Sequence, residues 1–323
     1  MNVEKNLASE INYLRLSITD RCNLRCLYCT TWDKWEKLPA PEILRYEEML
    51  RLAGVAAAVG LRKVRVTGGE PLVRRGVVEF IQALHQVSGL EEICLTTNGV
   101  LFKDLAQDLH AAGLRHVNVS LDSLKRARYR ELTGSDNLWE VLSGLEQAAA
   151  LGFHPLKINC VVLKGINDDE LLDFALLARD RPYQVRFIEF MPTISPERWR
   201  PHFFSMEEVR RRLAAALGQG VPVGRNPTAG PARIFHFPGF RGELGFISTL
   251  SQHHCPTCNR LRLTAAGRLR PCLFAAPELD LKGPLRRGES DEALGQIFRE
   301  AMQRKTAPRD DLPPGCAMIG IGG

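Results

Sequence analysis

Three thiols fall close together in the stretch DRCNLRCLYC, at Cys22, Cys26 and Cys29. A C-x3-C-x2-C spacing lets one loop wrap three corners of an iron–sulfur cubane, a group ordinarily held by four thiolates. Three protein ligands leave one iron open for a substrate or cofactor. The alternative is a zinc ion completed by a distant residue; the nearest candidates, Asp20 and Asp33, are carboxylates with no histidine beside them.

A second set, Cys255, Cys258 and Cys272, is spaced C-x2-C-x13-C. A Cys3His zinc site is chemically reasonable there, because His253 and His254 adjoin Cys255. Next to a first cluster, a second iron–sulfur cluster with its own open iron is the better reading. Arg260, Arg262, Arg268 and Arg270 are interleaved with these ligands. On a strand Arg260 and Arg262 share a face, and guanidinium groups suit bidentate binding of phosphate or a purine edge. A solvated basic face is the plainer alternative. Elsewhere, the glycine pair in TGGEPLVR (67–74) allows close backbone approach to a charged ammonium group. LTTNG (95–99) and VSLDS (119–123) bring polar groups to two further strand ends.

These residues need a frame. Short β-branched runs recur at 13–18, 63–67, 92–96, 116–121, 156–163 and 184–190, with helical periodicity between them, as in 45–60, 76–89, 101–113 and 137–152. Most of these helical stretches end in glycine, the usual residue just past a helix C-terminus. The alternation predicts an α/β fold of parallel βα units. Six units are too few to close an eightfold barrel, so a partial, open TIM-type barrel is expected. Its active site belongs at the C-terminal ends of the strands, where the first cysteine loop, TGGEP, LTTNG and VSLDS all fall. After Met191 the rhythm changes: a helix at 206–217, a Pro/Gly-rich linker, and short strand-like pieces before the second cysteine set. This predicts a partial-barrel core over 10–195 and a smaller C-terminal domain over 196–323, packed against the open side. Cys94 and Cys160 sit singly in apolar runs and read as core thiols; Cys316 stays unassigned.

The chain has 323 residues, a net charge of +6 and nine cysteines, an awkward odd count for a disulfide framework. No run of about eighteen apolar residues and no signal-peptide h-region is present, which predicts a soluble cytoplasmic protein with no membrane partner. The mild basic excess suits an anionic small molecule. Aromatics do not alternate with the basic residues, so nucleic acid is not expected as a partner.

The motif CNLRCLYC, with Tyr28 before the third cysteine, resembles the signature of the radical S-adenosylmethionine (SAM) enzymes. The resemblance implies a [4Fe-4S] cluster on Cys22, Cys26 and Cys29 whose open iron binds SAM, with Tyr28, Gly69, Ser120 and Met191 as further SAM contacts. RVTGGEPLVR, LTTNG, VNVSLDSL, INCVVLKGINDDE, RFIEFMP, CPTCNRLRLTAAGRLRPCLF and the terminal GG, taken together and in order, resemble the GTP-cyclising branch of that family, which opens molybdenum-cofactor biosynthesis. That branch implies a second [4Fe-4S] cluster on Cys255, Cys258 and Cys272 that binds GTP. It implies GTP contacts at Arg15, Arg65, Thr96, Lys157, Arg260 and Arg262. Catalytic roles fall to Arg260, Arg262 and a tail, Gly322 and Gly323, that reaches the active site. The partners implied are GTP, a reducing electron donor and a downstream cyclic pyranopterin monophosphate synthase, with room for a homodimer. The chain departs from the branch in having Thr30 to Trp35 (TTWDKW) where many members have Met-Pro. A peptide-modifying radical enzyme would carry more C-terminal cysteines, and a zinc scaffold would hold no iron.

Overall fold

The computed structural model describes residues 11–30, 35–224, 230–252, 258–273 and 278–305. The expectations on Cys255, Cys316, Gly322, Gly323 and residues 31–34 lie outside the described residues. In chain order the elements are β1 (Tyr13–Ser17), α1 (Tyr46–Ala58), β2 (Lys63–Thr67), α2 (Val77–Leu84), β3 (Glu92–Thr97), α3 (Phe102–Ala111), β4 (His116–Ser120), α4 (Arg126–Thr133), α5 (Leu138–Ala150), β5 (Leu156–Val162), α6 (Leu171–Asp180) and β6 (Tyr183–Glu189). There follow α7 (Pro196–Trp199), α8 (Met206–Leu217), β7 (Val221–Pro222), β8 (Arg233–His236), β9 (Glu243–Ile247), β10 (Arg260–Leu263), β11 (Arg268–Arg270), β12 (Leu279–Asp280), α9 (Lys282–Arg286) and α10 (Asp291–Gln303).

All strands join one open sheet in the order β12-β11-β10-β1-β2-β3-β4-β5-β6-β9-β8-β7. The first six strands are parallel neighbours, as the alternation predicted. The count of six parallel strands is short, however. The C-terminal region lays β9 parallel to β6 and β10 parallel to β1, extending the same sheet at both edges. Pairing across so long a sequence separation has no local signature, which is why the strand pattern alone suggested a separate packed unit.

The alternation within each strand decides which face does what. Leu14 and Leu16, Val64 and Val66, Ile93 and Leu95, Val117 and Val119, Ile158, Val185, Phe187, Leu261 and Leu263 all enter the apolar core under the helices. The intervening residues, on the opposite face, are Tyr13, Arg15, Lys63, Arg65, Thr96, His116, Asn118, Lys157, Asn159, Arg186, Arg260 and Arg262. A parallel strand covered on both faces normally reads as continuous apolar sequence. Here the concave face is polar even where it is buried. That is the signature of a cavity rather than a core.

The helices close the convex side. Gly60, Gly113 and Gly152 follow α1, α3 and α5 with φ of 104°, 97° and 80°, the left-handed turn that ends a helix and that glycine adopts without strain. α10 packs on α1: a Cβ on Gly295 would stand 3.3 Å from Val59, and Phe298 is fully buried. Burial of a phenylalanine side chain stabilises by roughly 1.5–3 kcal/mol, so this one helix holds the C-terminal region down firmly. No helix among the described residues is long and apolar enough to cross a membrane.

Candidate active site

The first cysteine loop leaves β1 and is stitched to its neighbours by main-chain bonds. Ile18 N donates to Thr67 O (2.9 Å), Gly69 N to Thr19 O (2.7 Å) and Glu70 N to Arg21 O (2.8 Å), which seats the loop against the GGEP turn. Arg25 N and Leu27 N donate to Thr133 O and Leu132 O at the end of α4 (2.8 and 2.9 Å). Gly69 can only be glycine: a Cβ there would lie 2.3 Å from Arg21 O. The sequence set the glycine pair at a ligand's ammonium group; the close approach the structure shows at Gly69 is instead to the backbone of the cysteine loop at Arg21.

Cys22, Cys26 and Cys29 are half-buried thiols. Cys22 Sγ accepts from Leu24 N (3.4 Å) and from Asn98 Nδ2 (3.8 Å). Burial pushes its thiol up to about 11, and Glu70 adds to the rise. Cys26 is pushed well above the usual thiol range by burial, then by Cys29, Asp122 and Cys22. Three crowded sulfurs beside carboxylates disfavour bare thiolates, and a positively charged metal group is what would offset that. The donor set fits an iron–sulfur cluster.

Two carboxylates that the sequence reading passed over organise this mouth. Glu70 Oε1 accepts from Leu72 N (3.0 Å) and Thr97 Oγ1 (2.7 Å), and its Oε2 from Asn98 N (2.6 Å). It thereby joins GGEP to LTTNG, and burial raises its carboxyl to about 7. Asp122, in VSLDS, accepts from Tyr28 Oη (2.5 Å) and Val161 N (2.8 Å), and burial raises it to about 6. Thr193 Oγ1 donates to the Tyr28 carbonyl, so Tyr28 is gripped at both ends. Ser120 closes β4 opposite Asn159, and Met191 lies two residues past the end of β6. Of the predicted SAM contacts, Ser120 ends β4, Gly69 and Met191 lie two residues past β2 and β6, and Tyr28 belongs to the cysteine loop that follows β1.

On the polar face of the sheet the registers line up the cations. Arg262, Arg15 and Arg65 are partners across β10, β1 and β2, and Arg260 and Lys63 flank Tyr13 one pair below. Across the sheet Thr96 pairs with Asn118, Asn118 with Lys157, and Asn159 with Arg186. Arg65 Nε donates to Tyr13 Oη (2.5 Å) and its Nη1 to Leu95 O (3.0 Å). Burial, then neighbouring cations, lowers four of these cations: Arg15 and Arg186 to about 10, Lys157 to about 7, and Arg262 well below its usual range. On this face four buried polar atoms, Thr96 Oγ1, His116 Nδ1, Asn118 Oδ1 and Asn159 Oδ1, have no hydrogen-bond partner. An unmet buried polar atom costs about 1–3 kcal/mol, so this surface is built for a polar, anionic occupant.

Arg15, Arg65, Thr96, Lys157, Arg260 and Arg262 are therefore brought to one face. Arg186, Asn118 and Asn159 belong with them and were missed, although a charged residue alternating with apolar ones in QVRFIEF was a usable signal. Arg268 and Arg270 pair instead with Asp280 (3.5 Å) and Glu278 (3.2 Å). Of the second cysteine set, Cys258 and Cys272 are half-buried. Burial would raise the Cys258 thiol, but Arg260 and then Lys305 outweigh it and bring it down to about 6. Cys160 is an apolar-core thiol, as expected. Cys94 is buried too, but in polar company: its Sγ donates to Glu92 Oε1 (3.1 Å) and Arg65 is its strand partner.

The profile described as Radical SAM superfamily matches residues 16–178, and that described as Molybdenum Cofactor Synthesis C matches residues 183–310. GTP 3′,8-cyclase of Heliobacterium modesticaldum is 47% identical over 302 residues, 92% of this chain and 91% of that protein. The GTP 3′,8-cyclase of Thermodesulfovibrio yellowstonii is 45% identical over 94% of both chains. This chain belongs to the GTP 3′,8-cyclase family.

As a family member it is a radical SAM protein, and that superfamily implies S-adenosylmethionine and a [4Fe-4S] cluster. The fold is shared more widely than the cyclases. Streptococcus suis SuiB, solved with S-adenosylmethionine bound, superposes with a TM-score of 0.64 over 88% of this chain and 67% of that one, at 14% identity.

Proposed function

We infer that this GTP 3′,8-cyclase family member converts GTP to 3′,8-cyclo-7,8-dihydro-GTP, the opening step of molybdenum-cofactor biosynthesis. The observation that carries the reading is the buried face on which Arg262, Arg15 and Arg65 stand in register beside Lys157 and unpartnered amide and hydroxyl groups. A triphosphate supplies the negative charge that such a face lacks.

Cys22, Cys26 and Cys29 would hold the first cluster, with Tyr28, Gly69, Ser120 and Met191 around SAM. When bound, the cluster supplies the electron that cleaves SAM and so the radical that abstracts hydrogen from the ribose. The chain's own contribution is placement. Glu70 and Asp122 lock the two loops of the SAM mouth, while Arg15, Arg65, Thr96, Lys157, Arg260 and Arg262 hold the nucleotide in the cavity beneath. Arg186, Asn118 and Asn159 complete that wall. Fixing both reactants in one water-poor cavity converts an encounter into a unimolecular event. Cys255, Cys258 and Cys272 would carry a second [4Fe-4S] cluster toward the guanine. Gly322 and Gly323 would enter the same site, where any side chain would be in the way.

On this reading residues 10–195 form the SAM-binding partial-barrel core, which also offers Arg15, Arg65, Thr96 and Lys157 to the nucleotide, and residues 196–323 bring the second cluster, Arg260, Arg262 and the Gly-Gly tail. The protein works in the cytoplasm, draws on a low-potential electron donor, passes its product to a cyclic pyranopterin monophosphate synthase and has room to form a homodimer. The test is anaerobic: reconstitute, count iron, reduce, and add SAM with GTP. About eight irons per chain and a GTP-dependent C8-modified nucleotide alongside 5′-deoxyadenosine are expected. 5′-Deoxyadenosine without that nucleotide overturns the assignment.

A further inference from the structure

Arg65, on the polar face of β2, is buried, and its guanidinium is pinned from both flanking strands. Its Nε donates to Tyr13 Oη on β1 (2.5 Å) and its Nη1 to Leu95 O on β3 (3.0 Å). Tyr13 is buried as well and stands in register between Arg260 and Lys63. Its ring meets both cations of β2: Lys63 Nζ lies 5.0 Å and Arg65 Cζ 5.9 Å from the centroid. These two cations are not treated alike. Lys63 Nζ has a carboxylate, Glu92 Oε1, at 2.8 Å. Among the described residues no carboxylate is in ion-pair contact with Arg65, whose two acceptors are a phenol oxygen and a peptide carbonyl. A guanidinium has five N–H groups. Those two bonds occupy Nε and Nη1 and leave the Nη2 edge.

We propose that Tyr13 is a positioning residue for nucleotide binding: its hydroxyl holds the Arg65 guanidinium in one orientation, with the Nη2 edge kept for an anionic ligand. The proposal rests on the reading of this face as the GTP site, and it acts on the triphosphate, the anionic part of that molecule. An arginine side chain has many rotamers, and freezing them at the moment of binding weakens affinity. Bonds made to Tyr13 and Leu95 before the ligand arrives remove that cost. Acceptors on opposite sides fix the plane of the guanidinium as well as its place, which a bidentate contact to phosphate requires. A carboxylate such as the one at Lys63 would position the group too, but it would also compete with the anion. The phenol positions without competing, so the buried charge is left to be met by the ligand.

The experiment is a double-mutant cycle on the reconstituted full-length protein: wild type, Tyr13→Phe, Arg65→Gln and the pair together. Each is titrated with GTP, with inorganic triphosphate and with SAM, the first two into the millimolar range so that weakened forms stay measurable. Tyr13→Phe keeps the ring against both cations and removes only the acceptor. It should weaken GTP by about 3–10-fold and inorganic triphosphate by the same factor, with SAM affinity unchanged. Beside Arg65→Gln the same substitution should make no further difference to GTP, because the hydroxyl acts only through the guanidinium. A side chain that merely held the sheet together would weaken GTP equally in both backgrounds and would lower SAM affinity too. That result, or a Tyr13→Phe protein that binds GTP as the wild type does, overturns the proposal. A wild type that does not bind GTP overturns the nucleotide reading itself, an outcome distinct from GTP bound alike with and without the hydroxyl.

Discussion

Arg15 and Arg262 stand side by side, in register on adjacent parallel strands, with both residues buried. Burial and then Arg15 hold the Arg262 guanidinium well below its usual range. Two like charges at this spacing oppose the ligand-free fold and favour any anion placed between them. Arg262→Met should therefore act in opposite directions on two measurements. GTP binding should weaken by ~10–100-fold, since a hydrogen bond to a charged group is worth about 1.5–3 kcal/mol. The thermal midpoint of the ligand-free protein should rise. A fall in both would show that Arg262 holds the sheet together rather than a nucleotide.

Lys157 predicts a pH dependence. Burial, then Arg186 and Arg65, bring its ammonium down to about 7, so it carries its charge below that pH and loses it above. A bound triphosphate would hold the proton on, so GTP affinity should decline as pH climbs past about 7. Calorimetry in two buffers at pH near 8 should show proton uptake on binding that Lys157→Met abolishes. The same shift has a stability sign. The folded state binds this proton less well than the unfolded chain, whose lysine titrates near ~10.4. The ligand-free protein should thus gain stability as pH rises from 7 toward that value.

Gly69 separates the two ligands. Gly69→Ala puts a methyl group into the Arg21 carbonyl and must push the cysteine loop off the GGEP turn. SAM binding should fall more than about tenfold, with a loss of ~1–3 kcal/mol in stability. GTP binding, measured on the same reconstituted protein, should change little, because the cations of that face lie on β1, β2, β5, β6 and β10. Equal losses for both ligands would place Gly69 in the fold rather than at the SAM site.

The tail carries the last prediction. One residue added after Gly323 should sharply reduce formation of the cyclised nucleotide while both clusters load normally. Unchanged turnover would remove Gly322 and Gly323 from the site.

The sequence was most legible where the signal is local. Strand runs such as KVRVT and EICLT lie within a residue of the observed bounds, because β-branched runs closed by glycine punctuation carry their own limits. Cys22, Cys26 and Cys29 declare themselves by spacing. Glu70 and Asp122 did not, since their role arises only when separate strand ends meet and Thr97 and Tyr28 come within reach. Asn118 and Asn159 look like ordinary strand polars until the register sets them on the cavity face. Lys305, whose Nζ donates to the Arg260 and Pro271 carbonyls, is further still from being readable: these acceptors lie 45 and 34 residues away.

The placement of β9 and β10 has a mechanical consequence. One edge strand of the parallel arc ends at Ile247 and the other begins at Arg260, so a single short connection reaches from one rim of the open sheet to the other. Glu189 clasps its start, accepting from Leu250 N (2.8 Å) and Ser251 N (3.1 Å), and Lys305 fastens its far end at Arg260. By chain length alone the connection is a tether between the two edges of the arc. Its length limits how far the two rims can part, and the second set of cysteines begins on it.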